Sequence, residues 1–263
     1  MTQNINERTA KPPLGDFGVV LEICANSIES AIAAEKGGAD RIELCANLGE
    51  GGTTPSYGQI KWCVENLQLE VWPLIRPRGG DFLYTDAEFA CILEDIYFCK
   101  QAGCHGVVAG ILDENGKVDE SRCQQIIATA SPMPVAFHRA FDMSQNLEES
   151  LEAIIALGFV RILTSGGKAN AEIGANEIAK LVVQAGKRIE IMPGAGINSD
   201  NLSEIAKITG AKCFHTTAKE RFASKMVFQN TIGKMGDKYA DEFSYDQTDL
   251  NKVKVLKDIL NKL

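Results

Sequence analysis

The chain is short of positive charge and of long apolar segments. It has 27 Lys and Arg against 35 Asp and Glu, which gives a formal net charge of −8 and a pI near 5.1. A nucleic-acid groove or a protein that docks on an anionic membrane needs dense Lys and Arg, so the charge balance excludes both partners. No apolar run approaches the roughly 20 residues that span a bilayer. We therefore expect a soluble protein.

Closely spaced cysteine pairs are also missing. Eight cysteines are distributed through 263 residues without a CxxC motif, and the chain shows no secretory signal peptide. This distribution is typical of reduced thiols in a cytoplasmic protein, most of which are small core residues. We therefore predict a cytoplasmic location and no disulfide framework.

A short motif occurs twice near the start, and in both copies an apolar strand ends in Glu-x-Cys. The copies are Glu22-Ile-Cys24 and Glu43-Leu-Cys45, and an amphipathic helical segment lies between them. This order predicts a parallel βαβ unit. Side chains two positions apart on a strand share a face, so each Glu lies beside its Cys. If the two strands are neighbours, four ionisable groups meet on one surface.

Strand and helix patterns then alternate along the chain and give eight strands. Four helices end in a glycine shortly before an even-numbered strand, at Gly38, Gly103, Gly158 and Gly210. Glycine at this point is typical of a left-handed helix cap. Eight βα units in a chain of this length predict an α/β protein with a single (β/α)8 TIM barrel. A doubly wound open sheet is the alternative, and it is disfavoured because no strand has the polar alternation of an edge strand.

Two segments lie outside the repeating pattern. Residues 1–17 are polar and aperiodic, which predicts a flexible N-terminal extension to a barrel over residues 18–263. Residues 218–248 separate strand eight from a closing helix, so we interpret them as an insertion near the barrel mouth. With Phe222, Met226, Phe228 and Tyr239, this insertion either covers a site or packs as a surface loop against the rim or a neighbouring subunit.

The predicted strand ends are polar, and barrel enzymes place their chemistry there. Because a lone carboxylate against the outer helices costs several kcal/mol, Glu22 and Glu43 should point into the barrel. There they are either paired with Arg41, Arg76 or Arg139, or used in catalysis. His138 ends strand five, and a functional role is favoured over simple packing. His215, at the end of strand eight, is balanced between the two.

Arginines and glycine turns at three strand ends predict a site for a small anion. Loop glycines expose N–H groups, and a guanidinium can donate two parallel hydrogen bonds to one oxyanion. The predicted ligand-binding residues are Arg76, Arg78, Arg139, Ser165, Gly166, Gly167, Gly194 and Gly196. The alternative is that Arg76 pairs with Glu22 or Glu43.

Cys24 and Cys45 are either ordinary buried thiols or metal ligands. Adjacent parallel strands are roughly 5 Å apart, so two thiolates at their ends could both bind one soft ion such as Cu(I). Their matching positions after Glu22 and Glu43 favour the ligand role.

Seven motifs occur in an order that resembles the CutC family, usually described as copper-homeostasis proteins. They are Glu22-Ile-Cys24, Ala39-Asp-Arg-Ile-Glu-Leu-Cys45, Glu50-Gly-Gly-Thr-Thr-Pro-Ser56, Leu74-Ile-Arg-Pro-Arg-Gly-Gly-Asp-Phe82, Phe137-His-Arg-Ala-Phe-Asp142, Arg161-Ile-Leu-Thr-Ser-Gly-Gly167 and Ile191-Met-Pro-Gly-Ala-Gly196. The resemblance implies a cytoplasmic (β/α)8 barrel that forms a homo-oligomer, a dimer or tetramer, with Cu(I) bound at Cys24 and Cys45. Ala195 departs from the family pattern, which usually has glycine there.

Two functional hypotheses follow. The first is a copper-homeostasis protein that binds Cu(I) through Cys24 and Cys45. The second is a barrel enzyme that acts on a small phosphorylated or carboxylated metabolite, with Glu22 or Glu43 as the base and His138 as the acid. The polar strand ends exceed what a copper carrier needs, but the sequence names no substrate and leaves the enzymatic hypothesis open.

Overall fold

The structure is a computed structural model that describes residues 18–233, 235 and 241–263. The predicted extension, residues 1–17, lies outside the described part. The strands are β1 (Val20–Ala25), β2 (Arg41–Leu44), β3 (Glu70–Pro73), β4 (Val107–Ala109), β5 (Val135–Phe137), β6 (Arg161–Thr164), β7 (Glu190–Pro193), β8 (Cys213–Thr216), β9 (Lys219–Ala223) and β10 (Ser244–Thr248). The helices are α1 (Ile28–Gly37), α2 (Tyr57–Asn66), α3 (Asp86–Ala102), α4 (Glu120–Ala130), α5 (Leu147–Leu157), α6 (Ala175–Ala185), α7 (Leu202–Thr209) and α8 (Leu250–Leu260).

Strands β1 to β8 form the predicted (β/α)8 barrel. They are arranged as two parallel four-stranded sheets, in the orders β3-β2-β1-β8 and β4-β5-β6-β7. The sheets meet where the amide of Ile75 donates to the carbonyl of Val108 at 2.7 Å. On the other side, β7 and β8 pack together, and the Cys213 thiol lies 3.2 Å from the Met192 sulfur. The barrel prediction is therefore confirmed, and the open-sheet alternative is wrong.

The glycine caps that revealed the repeat have the expected left-handed conformation. The φ angles are 88° at Gly38, 82° at Gly103, 89° at Gly158 and 66° at Gly210. Each cap amide donates back to a carbonyl of the last helical turn. A residue with a Cβ adopts this conformation at a cost, which explains why glycine marks these helix ends.

Each barrel strand faces two different layers, because its side chains alternate in direction. In β1, Leu21, Ile23 and Ala25 belong to the large hydrophobic core between strands and helices. The intervening residues, which include Glu22 and Cys24, point into the barrel. The barrel interior is a smaller core of its own, formed by Cys24, Cys45, Trp72, Leu74, Val108 and Ala136 near one end and by Leu163, Met192 and Cys213 beside them.

The described part of the insertion contains an antiparallel hairpin, β9–β10, which the sequence did not predict. Phe222 stacks on Tyr245 with the ring centroids 6.3 Å apart. The hairpin is anchored to the barrel because the Asn26 side chain donates to the carbonyl of Asp246 at 3.0 Å. Met226 and Phe228 are exposed, and Tyr239 lies outside the described residues. Within the described ranges, no helix has both the length and the apolar content to cross a membrane.

Candidate functional site

A pocket of about 370 Å³ lies at the carboxyl ends of the barrel strands. Its lining includes Cys24, Glu43, Arg76, His138, Arg139 and His215, which come from five different strands or the loops after them. The structure therefore brings together most of the polar residues that the sequence singled out. No described residue of the insertion lines this pocket.

Glu22 lies beneath the pocket, in a buried network of charges. Its carboxylate accepts a hydrogen bond from Arg41, and Arg161 lies 3.9 Å away. Arg161 in turn pairs with Glu190, and its guanidinium carbon lies 4.6 Å from the Trp72 ring centroid. These contacts match the alternative in which arginine neutralises Glu22 inside the barrel.

His215 connects this network to the pocket. Its Nδ1 lies 2.7 Å from Glu22, and its Nε2 lies 3.6 Å from Glu43. The contact arises because β1 and β8 are neighbours and place Glu22 opposite His215. Burial lowers the pKa of His215, but Glu43 and Glu22 together raise it above the ordinary value.

The two glutamates that the sequence treated as equivalent have opposite pKa shifts. Burial favours the neutral form of Glu22, but Arg41, followed by His215 and Arg161, outweighs it and lowers the pKa. The pKa of Glu43 is raised, mainly because the side chain is buried. An ionised, fully paired Glu22 is therefore poorly suited to act as a base, whereas Glu43 reaches the pocket.

The two predicted ligand thiols are in contact. The sulfur atoms of Cys24 and Cys45 lie 3.5 Å apart at the base of the pocket. Cys24 borders the pocket, while Cys45 is fully buried. The hydrogen bond with Cys45, followed by burial, raises the pKa of Cys24 well above its usual value. In the absence of a cation, Cys24 is therefore a protonated thiol at neutral pH.

Cys24 also belongs to a second group of donors. One ligand atom from each of Cys24, Glu43 and His215 lies within 4.8 Å of the others, and all three side chains are buried. Thiolate, carboxylate and imidazole are common metal ligands, so this group can hold a metal ion.

Arg76, which follows β3, also lines the pocket and is not paired with Glu22 or Glu43. Its Nη1 donates to the carbonyls of Glu50 and Gly52, at 2.8 and 2.9 Å. Its Nη2 donates to the carbonyl of Gly80 at 2.7 Å. The buried Nε has no hydrogen-bond partner among the described residues. The alternative pairing of Arg76 with the strand-end glutamates is therefore wrong.

His138 lies near Arg76 and is neutral. Burial, together with the positive charge of Arg76, lowers its pKa to about 3. Its Nδ1 accepts a hydrogen bond from the amide of Ala140 at 3.2 Å, so the ring proton is on Nε2. That Nε2 is buried without a partner among the described residues. His138 can therefore donate a hydrogen bond at pH 7, but it is not an imidazolium acid in this state.

The turn after β6 already binds a carboxylate of the protein itself. Asp142 accepts hydrogen bonds from the amides of Ser165 and Gly167, at 3.0 Å each. Arg139 donates to the same carboxylate at 2.8 Å, and the amide of Gly166 donates to the preceding threonine hydroxyl at 2.8 Å. The N–H groups that the sequence assigned to an external anion are thus engaged internally.

Of the remaining predicted anion ligands, some border the pocket and others do not. Arg78 pairs with Glu88 at 2.6 Å and does not border the pocket. Gly194 donates its amide to a β6 carbonyl at 2.9 Å and also lies outside the pocket lining. Gly196 does line the pocket, beside Ala195, and both have left-handed φ angles, 78° and 73°.

The sequence profile of the CutC family matches residues 19–220. The chain belongs to the CutC family. It is 45% identical over 243 residues to a CutC family protein of Chromobacterium violaceum, an alignment that covers 92% of this chain and 98% of the relative. It is 44% identical over 247 residues to a protein of Homo sapiens named copper homeostasis protein cutC homolog, which covers 94% of this chain and 90% of the relative.

Solved structures agree with the family and the fold. The crystal structure of a CutC copper-homeostasis protein from Streptococcus agalactiae has a TM-score of 0.72 and 36% identity, and covers 76% of this chain and 98% of that one. N-(5'-phosphoribosyl)anthranilate isomerase from Pyrococcus furiosus has a TM-score of 0.52 and covers 93% of this chain and all of that one. At 14% identity, this second likeness shows the barrel fold alone.

Sequence reasoning missed part of the CutC-family site. Arg161 and Glu190 complete the charge network beneath the pocket, and Asp142 fills the turn after β6. The signal for the first two was a charged residue inside an otherwise apolar strand, as in Val160-Arg161-Ile-Leu and Ile189-Glu190-Ile. Such a residue must be paired inside the barrel.

Proposed function

We propose that this CutC-family protein binds Cu(I) as its cargo through Cys24 and Cys45 and serves copper homeostasis. The observation that carries the proposal is the 3.5 Å separation of the two sulfur atoms on neighbouring strands. At this distance, one soft cation can bind both thiolates with small side-chain movements. The two thiols therefore need no rearrangement of the barrel to act as a pair.

The surroundings of the thiols favour a soft cation of low charge. Cys45 lies against apolar side chains, including Trp72 and Leu74, which offer nothing to a strongly hydrated ion. Replacing two thiol protons with one Cu(I) leaves a single negative charge. His215, whose pKa is raised, lies close enough to Cys24 to balance that charge.

The group of Cys24, Glu43 and His215 is the competing site, because its mixed donors suit a borderline ion such as Zn²⁺. The two sites share Cys24 and differ in Cys45. A Cys45 variant therefore distinguishes them, since it removes one of two ligands from the first site and none from the second.

The test is a competition titration of Cu(I) against a chelator under reductant. We expect Cys24→Ser and Cys45→Ser each to lose most of the affinity, with little further loss in the double variant. Cys91→Ser is the matched control, since Cys91 is the exposed cysteine of the described chain. Wild-type affinity in Cys45→Ser, or an equal loss in Cys91→Ser, contradicts the proposal. X-ray absorption should find only sulfur around copper in the wild type.

As part of the same proposal, the protein works in the reducing cytoplasm and as a homo-oligomer, a dimer or tetramer. All eight cysteines are free, and seven of them are not exposed, which suits a reducing compartment. Met226, Val227 and Phe228 are exposed next to the hairpin and offer apolar surface to a second copy. Light scattering on the purified protein tests the assembly, and a monomer at all concentrations contradicts it.

A further inference from the structure

Arg76 differs from every other arginine in the described part of the chain. The other seven each lie within 4.0 Å of at least one carboxylate oxygen; they are Arg41, Arg78, Arg122, Arg139, Arg161, Arg188 and Arg221. Arg76 has no such partner among the described residues, although it is only 5% exposed. The hydrogen bonds of Arg76 go to carbonyl groups, so no carboxylate in direct contact neutralises its positive charge.

The carbonyl bonds of Arg76 fix the orientation of its guanidinium. Three carbonyls, from Glu50, Gly52 and Gly80, hold its two terminal nitrogens from two separate loops. The Nε remains without a partner, and the side chain borders the pocket. The loops therefore fix a side chain that borders the pocket and whose buried Nε–H has no partner among the described residues.

His138 supplies a second donor of the same kind. Its Nδ1 is occupied by the Ala140 amide, which leaves the proton on a buried Nε2 that lacks a partner among the described residues. Phe82 connects the two donors: its ring centroid lies 4.9 Å from the Arg76 guanidinium carbon and 4.9 Å from the His138 ring centroid. Both donors and Phe82 line the same pocket.

We propose that Arg76 and His138 form a binding site for the anionic group, carboxylate or phosphate, of a small metabolite. An oxyanion here satisfies two buried donors that otherwise cost free energy, and it neutralises Arg76, which has no carboxylate partner among the described residues. Because the imidazole is neutral, His138 acts as a hydrogen-bond donor and transfers no proton on binding. This site uses neither Cys24 nor Cys45 and is independent of the copper proposal.

The pocket also limits the size of the ligand. A volume of about 370 Å³ is near the lower end of the roughly 300–1,000 Å³ typical of small-molecule sites. Phe82, Leu48 and Leu163 provide apolar surface next to the donors. The ligand is therefore a compact molecule with one anionic group and a short apolar part. Polymers and large cofactors do not fit this description.

The experiment is isothermal titration of the metal-free, reduced protein in a chloride-free buffer, with inorganic phosphate and malonate as separate probes. We expect saturable binding of at least one probe by the wild type. Arg76→Gln should weaken it at least tenfold, because the charged donor is lost, and His138→Phe should weaken it several-fold. Binding of phosphate alone identifies a phosphoryl ligand, and binding of malonate alone identifies a carboxylate ligand.

Two variants serve as controls. Arg78→Gln removes the neighbouring arginine of the same loop, which pairs with Glu88 and does not line the pocket, so anion affinity should be unchanged. The double variant Cys24→Ser, Cys45→Ser should also retain anion binding even if it loses Cu(I). This separates the failure of one proposal from the failure of the other.

Three results overturn the anion site. They are no saturable binding of either probe by the wild type, wild-type affinity in Arg76→Gln, or an equal loss in Arg78→Gln. If Arg76→Gln does not fold, because its three carbonyl bonds are lost, His138→Phe decides the matter. Unchanged affinity in a folded His138→Phe protein then overturns the proposal.

Discussion

The pocket is lined by two buried histidines, and the pKa values of these histidines are shifted in opposite directions. We call Cys24, Glu43 and His215 the acidic wall, and Arg76 and His138 the basic wall. The pKa of His215 is raised because Glu43 and Glu22 outweigh its burial. The pKa of His138 is lowered to about 3 by burial and by Arg76. Burial is similar in both cases, so the neighbouring charges decide the difference.

This contrast shows how one pocket can present sites for ions of opposite sign. The acidic wall gathers donors that become negative when they lose protons, and such donors suit a cation. The basic wall presents N–H donors, of which the Arg76 guanidinium is positively charged and the His138 imidazole is neutral at pH 7, and such donors suit an anion. Fully paired charges, such as Glu22 with Arg41, lie beneath both walls and are unavailable to ligands.

The largest expected effect comes from breaking the paired charges beneath the acidic wall. Glu22→Gln leaves Arg41 buried without its main partner, and we expect the free energy of unfolding to fall by about 3–5 kcal/mol. Urea denaturation followed by circular dichroism measures the change. Glu152→Gln, which removes an exposed carboxylate that pairs with Arg188, is the control and should change stability little. Equal effects in the two variants would show that Glu22 is not a structural charge.

The second test separates the two histidines by pH. The pKa of His138 is near 6.5 in the unfolded chain and about 3 in the folded protein. Between these two pH values, the folded protein keeps His138 neutral, and unfolding lets it bind a proton. Stability from this source therefore falls as the pH falls, by about 2 kcal/mol between pH 7 and pH 5. His215 has the opposite sign, because its stabilisation is complete below the unfolded pKa and is lost as the pH rises through its raised folded pKa.

The variant that isolates this effect is His138→Phe, measured by urea denaturation at both pH values. We expect it to lose less stability than the wild type on acidification, whatever its stability at neutral pH. The contrast between the two walls fails if the wild type and the variant respond to pH in the same way.

The third test concerns the proposed Cu(I) site at Cys24 and Cys45, which shares Cys24 with the acidic wall. Because the pKa of Cys24 is raised, Cu(I) must displace its proton throughout the neutral range. Apparent Cu(I) affinity should therefore rise about tenfold per pH unit for each thiol proton displaced. Competition titrations between pH 6 and pH 8, with a chelator whose own pH dependence is known, measure this slope. An affinity that is independent of pH argues against thiolate ligands.

The smallest effect is expected in the turn after β7, which lines the pocket. Ala195 has a φ angle of 73°, a conformation that costs alanine more than glycine. We expect Ala195→Gly to stabilise the protein by about 0.5–1 kcal/mol, with Cu(I) and anion binding retained. Asn47, at φ 48°, is a useful comparison, because asparagine tolerates this conformation and Asn47→Gly should gain less. Thermal unfolding of both variants tests the difference, and destabilisation by Ala195→Gly contradicts it.

Local patterns predicted the fold well because the relevant interactions are local. The glycine caps at Gly38 and Gly103 are determined by neighbouring helical carbonyls, and the apolar period of each strand reflects its own two faces. The hairpin β9–β10 was missed because its strands have no such local pattern. Strand Lys219–Ala223 is largely exposed, strand Ser244–Thr248 is mostly half-buried, and neither has an apolar alternation.

The site was predicted less well because its contacts join distant parts of the chain. The contact between Glu22 and His215 spans 193 positions, and that between Asp142 and Gly167 spans 25. The sequence correctly placed Glu43, Arg76 and His138 at strand ends. It could not show that Asp142 occupies the glycine turn, or that Arg76 lacks a carboxylate, since both depend on the register of packed strands.

The contact between Glu22 and His215 also has a consequence for how the protein folds. It joins the first strand of the barrel to the last, so it cannot form until nearly the whole chain has been synthesised. Until then, Glu22 and Arg41 have each other but lack the imidazole that links them to Glu43. Contacts this distant in sequence form late and slow the folding of a chain. During synthesis, the charge network therefore matures only when β8 closes the barrel, and the same step completes the pocket around both proposed ligand sites, because His215 and Thr216 line it.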